Sequence, residues 1–323
     1  MRTFLIKRLL AAIPLIFFVT FIMKAMLVLS PGNYLDQLRL TPGISRRYIE
    51  EQIKIYHLDS RNVFERYWHW LIPAFQGEFG HSLLYKRPVV DMLGERVLNT
   101  LMLTGAALVF SWGLAIPLGT LAAVYRNRWV DKLVSFISFW GLSIPSVFFS
   151  MLMVLLAAKT GWFPAGGIHD QRNWNEFTTW QQITDTLWHL VLPTIVLGTI
   201  GMAQYMRQMR SEMIETLSQD YIRTARAKGL SRWRVIYRHA LGNAINPLVT
   251  LFGFSIAFLL GGALLTEYVF GWPGLGLLIY DALTNKDEPL VMAAVTMLVI
   301  MLVIGNLIAD ILLAVIDPRI RVE

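Results

Sequence analysis

The hydrophobic residues of this chain are gathered into runs, and several of those runs reach the ~20 residues a helix needs to cross ~30 Å of hydrocarbon. Six can be counted: 9–29, 98–124, 133–157, 187–206, 248–270 and 290–316. Water is absent from the core of a bilayer, so each run must satisfy its own backbone N–H and C=O groups, and a helix does so within one segment. Only 16% of the residues are charged, against about 25% in an ordinary soluble domain. The expected fold is therefore all-α and integral to the membrane, with six transmembrane helices.

Lys and Arg in the short connections set the expected orientation. Arg2, Lys7 and Arg8 precede the first run, and Arg126, Arg128 and Lys132 follow the second. Eight bases from Arg207 to Arg238 lie between the fourth and fifth, and Arg319 and Arg321 close the chain. These regions alternate correctly and place both termini in the cytoplasm. The opposite connections carry few bases: Lys159 and Arg172 in one, Lys286 in the other. This distribution, with anionic lipid as its counterpart, accounts for the net charge of +7 without nucleic acid. The apolar run after Arg8 is longer than the core of a cleaved signal and lacks a small-x-small site, so it reads as a retained span.

Four sections are expected: an N-terminal helix (1–29), an external cap (30–97), a core transmembrane domain (98–316) and a cytoplasmic tail (317–323). The cap carries Tyr34, Tyr48, Tyr56, Trp68, Trp70, Phe75 and Phe79, with a helical pattern over 46–56. Pro14, Pro117, Pro145, Pro193, Gly253, Gly261 and Gly262 fall inside spans, where they serve either as packing kinks or as parts of a moving gate.

Several chemistries lack their residues. There is no cysteine, and no G-x-x-x-x-G-K-[ST] phosphate loop, so any ATP used must be bound by a partner. The six histidines are scattered and give no metal-ligand spacing. Ser111, Ser135, Ser138 and Ser150 have no evident His or paired-Asp partner for an intramembrane hydrolase. A secondary transporter, the main rival reading, usually shows internal repeats and more intramembrane charge than this chain displays. His189, within a span, is a packing residue or lines a pathway. Glu267, at the outer end of the fifth run, touches an external protein or the pathway mouth, or caps the following turn. Asp310 has basic residues within reach near the inner end.

Residues 207–246 are the informative part, because a short turn would have joined the two spans. Glu212 and Glu215 lie early while Arg223, Arg226 and Lys228 lie late, which suits a helix dipole. Met213, Leu217 and Tyr221 recur at four-residue spacing. Gly229 stands where a left-handed residue ends a helix, and Ser231 can cap the next, which contains Trp233, Ile236, Tyr237 and Ala240. The pattern is helix, tight turn, helix. The small residues Ala225, Ala227 and Gly229 favour docking of another protein over simple contact with lipid.

The string from Tyr221 through Arg223, Thr224, Ala225, Arg226, Ala227, Lys228, Gly229 and Leu230 to Ser231 resembles the cytoplasmic coupling loop of binding-protein-dependent ABC importer permeases. The later His239, Asn246 and Pro247 extend the match, and the peptide and nickel branch is the most similar. Gly229 matches the signature glycine and Ala225 its second alanine. Arg223 stands in place of the signature Glu, Thr224 in place of the first Ala, and Gly242 in place of the later Pro. Shorter strings along the chain agree, including Ser143-Ile-Pro145, His189 with Pro193, and Glu267 with the Phe270 to Gly276 turn. Lys24 departs from a usually apolar position, and snorkelling to the outer surface is the expected explanation.

The resemblance implies an inner-membrane permease subunit that is not itself catalytic. It would be driven by ATP and Mg held on two cytoplasmic ATPase subunits, paired with a second related permease, and fed by an external substrate-binding protein. It would carry di- or oligopeptides, with nickel chelates or glutathione-like molecules as the alternative. It also implies that Tyr221, Arg223, Ala225, Arg226, Ala227, Gly229, Leu230 and Ser231 couple to the ATPase. Pro145, His189, Glu267, Gly261 and Gly262 are the candidates for pathway or gate.

Overall fold

The computed structural model describes residues 2–32, 34–35, 45–56, 60 and 62–316. Parts of the cap (36–44, 57–59) and the tail 317–323 lie outside the described residues. The described residues are helical, with one isolated bridge between His81 and Pro88. The principal helices are α1 (Arg2–Leu29), α2 (Arg46–Ile55), α3 (Val63–Phe75), α4 (Val89–Val124), α5 (Trp129–Ser143) and α6 (Ser146–Thr160). After these come α7 (Thr179–Ser218), α8 (Asp220–Ala227), α9 (Asn246–Phe270), α10 (Leu275–Thr284) and α11 (Glu288–Ile316). Among the described residues four helices are long and apolar enough to cross a membrane, or six if each of two bent pairs is counted as one span.

One expected span is not a single helix, while the fifth run lies within the single helix α9. The third is broken between α5 and α6, which meet at 103°. Pro145 offers no N–H and crowds the residue before it. Ile144 accordingly takes an extended conformation, φ −86° and ψ 123°, and the helix restarts at Ser146. The fifth run ends at Gly271, whose φ of +60° closes α9, and α10 follows after the Trp-Pro-Gly turn. Pro14, Pro117 and Pro193, by contrast, lie inside continuous helices. The fourth helix is far longer than its apolar run. A capping box between Thr178 and Gln181 starts it eight residues before Leu187, and it continues past the apolar stretch to Ser218.

The contacts divide the chain into two compact units, Met1–Thr100 with Pro273–Ile304, and Leu101–Trp272 with Gly305–Glu323. In the first unit, Tyr34, Leu35, Ile49 and Leu83 form a small core, and Asp287 accepts from Ser82 Oγ at 2.6 Å and Leu84 N at 2.9 Å. Thr100 Oγ1 caps α10 by accepting from Leu275 N at 2.7 Å.

Lys24 corrects the snorkelling expectation. It is 3% exposed and donates to Glu288 Oε1, while Arg66 Nη2 donates to Glu288 Oε2. A partner within reach removes the need to extend to the surface. One carboxylate thus ties together α1, α3 and α11.

In the second unit α4 and α7 touch backbone to backbone at Gly119. A Cβ there would stand 2.7 Å from both the Met206 carbonyl oxygen and Met209 Cβ. Gly119→Val should therefore force the helices apart and lower stability by about 1–3 kcal/mol. Gly113→Ala, on the same helix with nothing within 4 Å, should leave it unchanged. Thermal unfolding of the two detergent-purified variants checks the contrast.

Candidate functional site: the loop between α7 and α9

The loop begins with a break that periodicity does not reveal. At Gln219 the chain turns extended, φ −69° and ψ 151°, and Asp220 opens α8 with an acidic first turn. Glu212 and Glu215 thus lie in the last two turns of α7 and not at the start of the helix that carries Arg223 and Arg226. The dipole argument fails for them, and Glu212 instead accepts from Gln208 at 2.7 Å. The stripe through Met213, Leu217 and Tyr221 is interrupted for the same reason. Met213 is fully buried, Tyr221 is 43% exposed, and Ile222 takes the inward place.

A Schellman motif ends α8. Gly229 has φ +76°; its N–H donates to Arg226 O at 3.0 Å, and Leu230 N donates to Ala225 O at 3.4 Å. A left-handed residue lets the chain reverse while both orphan carbonyls are satisfied, and glycine does this without a Cβ penalty. Leu230 and Ala225 join the same apolar cluster. Ser231 precedes the next helical turn, Arg232–Arg234, but makes no side-chain cap bond.

From Val235 to Ala240 the turns widen to a π-helix before Leu241–Ala244 resumes as α. The wider turn shifts the phase of the apolar pattern. Val235, Ile236 and Ala240 are buried, whereas Trp233 and Tyr237, expected on the same apolar face, are 50% and 56% exposed. Their rings stack with centroids 5.7 Å apart. Such an outward aromatic pair was missed because its spacing imitates a buried stripe.

The loop therefore has two faces. Inward, Ile222, Ala225, Val235, Ile236, Ala240 and Ala244 pack with Ala123, Met209, Met213 and Leu248. Outward stand Tyr221, Arg223, Arg226, Ala227, Lys228, Gly229 and Ser231, with Leu230 half-buried. Ala225 belongs to the first face: its small size serves internal packing, and it does not lie on the surface open to another protein. Tyr221 is held by Asn243 Nδ2, which donates to its hydroxyl at 3.0 Å. Beside the turn a cavity of about 410 Å³ is lined by Leu217, Arg226, Leu230 and Arg232 among others. The guanidinium of Arg232 also lies 5.5 Å from the centre of the Tyr125 ring.

An ion pair anchors the loop's base. Arg210 Nε and Nη2 donate to the two oxygens of Asp131 at 2.5 and 2.8 Å. Asn127 N donates to Asp131 Oδ2 at 2.8 Å. The basic turn after α4 and the extended part of α7 are thus held by one carboxylate.

The pathway candidates are dispersed. Pro145 is exposed at the α5–α6 break. His189 is buried, its Nδ1 lying 2.9 Å from the Asp185 carbonyl oxygen, and it borders an open cavity of about 800 Å³ with Asp185, Trp188, His169 and Asp170. Glu267 is fully buried and so does not reach outward to an external protein. Gly261 and Gly262 lie within α9, but their surroundings lie outside the described residues.

Residues 115–322 match the family described as binding-protein-dependent transport system inner membrane component. That region is more than half of the chain and contains the whole two-faced loop. The chain belongs to this family. It is accordingly a multi-pass inner-membrane transport component. The oligopeptide transport system permease protein AppB of Bacillus subtilis (strain 168) is 38% identical over 323 residues, covering 99% of this chain and 100% of that protein. The glutathione transport system permease protein GsiC of Escherichia coli (strain K12) is 36% identical over 324 residues, covering 99% of each. Among solved structures, the MetNI methionine ABC transporter in an inward-facing conformation matches with a TM-score of 0.56 at 18% identity. That match covers 70% of this chain and 96% of the other, and it shows the likeness of fold.

Proposed function

We propose that this chain is one membrane-spanning subunit of an ABC importer for di- or oligopeptides, with a glutathione-type substrate as the alternative within the same family. AppB and GsiC, by their names, serve oligopeptide and glutathione transport, and this chain is alike over its full length. In this reading the bent pairs count as spans, giving six, and both termini lie in the cytoplasm. Residues 30–97 form an external region facing a substrate-binding protein. A second related permease completes the pathway, and two ATPase subunits hold ATP and Mg.

The observation that carries the coupling role is the two-faced loop. Its inward face fixes α8 to the ends of α4, α7 and α9, so a push on the outward face is passed to several spans at once. Its outward face is basic and aromatic, with Tyr221, Arg223, Arg226, Trp233 and Tyr237, and suits a groove with acidic lining on an ATPase. Closure of the ATPases would then bias the spans between two arrangements.

Gly229→Val tests this reading. A β-branched residue at φ +76° is strained by about 1–2 kcal/mol and should tilt α8. The expected result is loss of most ATPase co-purification and a roughly tenfold or greater fall in ATP-dependent uptake, since 1.4 kcal/mol is a factor of ten, while the spans stay folded. Tyr221→Ala with Arg223→Glu should act likewise without touching the backbone. Uptake that continues without ATPase and follows an ion gradient would overturn the proposal.

A further inference from the structure

Helix α3 carries a surface that the transport role leaves unexplained. Phe64, Trp68, Ile72 and Phe75 follow at spacings of four, four and three, which puts them on one stripe of a helix. They are 67%, 58%, 57% and 72% exposed. Four large apolar side chains in a row, more than half exposed, are unusual on a face meant for water. The neighbouring arc of the same helix is buried through Arg66, Tyr67 and Leu71.

Contacts with α1 give the level of this helix. Phe75 meets Phe17 at 6.0 Å between ring centroids, and Phe64 and Tyr67 meet Phe21 at 5.2 and 5.3 Å. The Tyr67 hydroxyl lies 2.9 Å from Thr20 Oγ1. Within α1, the apolar span runs from Leu10 to Leu29. At 1.5 Å per residue, Phe17 is about 18 Å and Phe21 about 12 Å along the axis from Leu29. So α3 crosses α1 well below the end from which the chain emerged. The stripe also continues a surface of the span, because Phe18, Ile22 and Met26, the next positions around α1, are exposed as well.

We infer that α3 is a membrane-embedded helix that enters the bilayer from the side where residues 30–97 lie and reaches about mid-depth, with Phe64, Trp68, Ile72 and Phe75 covered by lipid acyl chains. The inference needs only that α1 spans the membrane and holds whichever way the chain is oriented. On the flank of the stripe Glu65 accepts from Ser60 Oγ at 2.7 Å, beside the turn where α3 begins. The ion cluster of Lys24, Arg66 and Glu288 holds α3 against α1 from the buried side.

The absence of cysteine makes a direct test available. Single variants Trp68→Cys, Ile72→Cys and, as a water-exposed reference on α2, Arg47→Cys are spin-labelled in the full chain with its co-purifying subunits. They are then reconstituted in phosphatidylethanolamine–phosphatidylglycerol vesicles. Collision rates with oxygen and with a neutral nickel chelate are compared. The expected oxygen-to-nickel ratio at 68 and 72 is several-fold above that at 47. A ratio equal to that at 47 means water and overturns the inference. Low access to both reagents with an immobilised label means a covering protein and equally overturns it. The unsubstituted chain gives a second reading through a photoactivatable lipid carrying its reactive group in the acyl chain. Adducts should fall on peptide 63–75; adducts on α1 at Phe18 or Ile22 with none on that peptide refute the proposal. Neither readout involves ATPase binding or uptake, so failure of the coupling experiment leaves this one intact.

Discussion

Glu288→Ala should be the most damaging single substitution in this chain, lowering stability by about 3–5 kcal/mol, the usual cost of removing one partner from a buried ion cluster. Its carboxylate is 7% exposed and accepts from Lys24 and Arg66, which are 3% and 6% exposed. Taking it away leaves two buried cations without the carboxylate that both contact. Lys24→Met should be much milder, because Arg66 and Glu288 then remain as a neutral pair and the Lys stem is replaced by a chain of similar volume. The order of severity distinguishes an electrostatic anchor from a merely crowded site, since crowding would make the two variants alike. Thermal unfolding of the purified complex, together with the yield of folded protein in detergent, reads the difference.

The second large effect is expected at Asp131. Asp131→Ala removes the acceptor for both Arg210 bonds and for the N–H of Asn127, a residue held at φ +65°. Hydrogen bonds to charged groups contribute roughly 1.5–3 kcal/mol each. Arg210 is partly solvated and can recover some of that from water, so a net loss of about 3 kcal/mol is expected. The functional consequence should be larger than the stability loss suggests. Arg210 lies on the part of α7 that carries the two-faced loop, so a loosened anchor should raise the ATP hydrolysed per substrate imported. The double variant Asp131→Leu with Arg210→Met removes both charges and should recover stability, as buried pairs replaced together often do. It should recover the transport ratio only in part, because the Asn127 cap is still missing. Paired measurements of ATPase rate and uptake in proteoliposomes give that ratio.

Much of the loop was legible in the order of residues. Gly229 could be placed at a left-handed turn because few other residues tolerate that backbone, and Leu230 could be placed after it as the apolar member of the motif. The two faces were not legible. A helix period assumes an uninterrupted helix, and this one stops at Gln219, a residue type with no strong stop signal. A π-turn then shifts the phase again, which sends Trp233 and Tyr237 outward and leaves Ile236 inward. Ala225 and Ala227 look equivalent in sequence, yet one packs inside and the other is exposed.

What the sequence determined by itself was the class: long apolar runs in a solvent without water admit only helices. It marked Pro145 only as one of several possible kinks; the structure decided that the helix breaks there while Pro14, Pro117 and Pro193 stay inside continuous helices. Tertiary structure alone decided how distant charges meet. Lys24 and Glu288 are 264 residues apart, and Asp131 and Arg210 are 79 apart; no local pattern pairs them, because the energy of a buried charge depends on what the fold brings beside it.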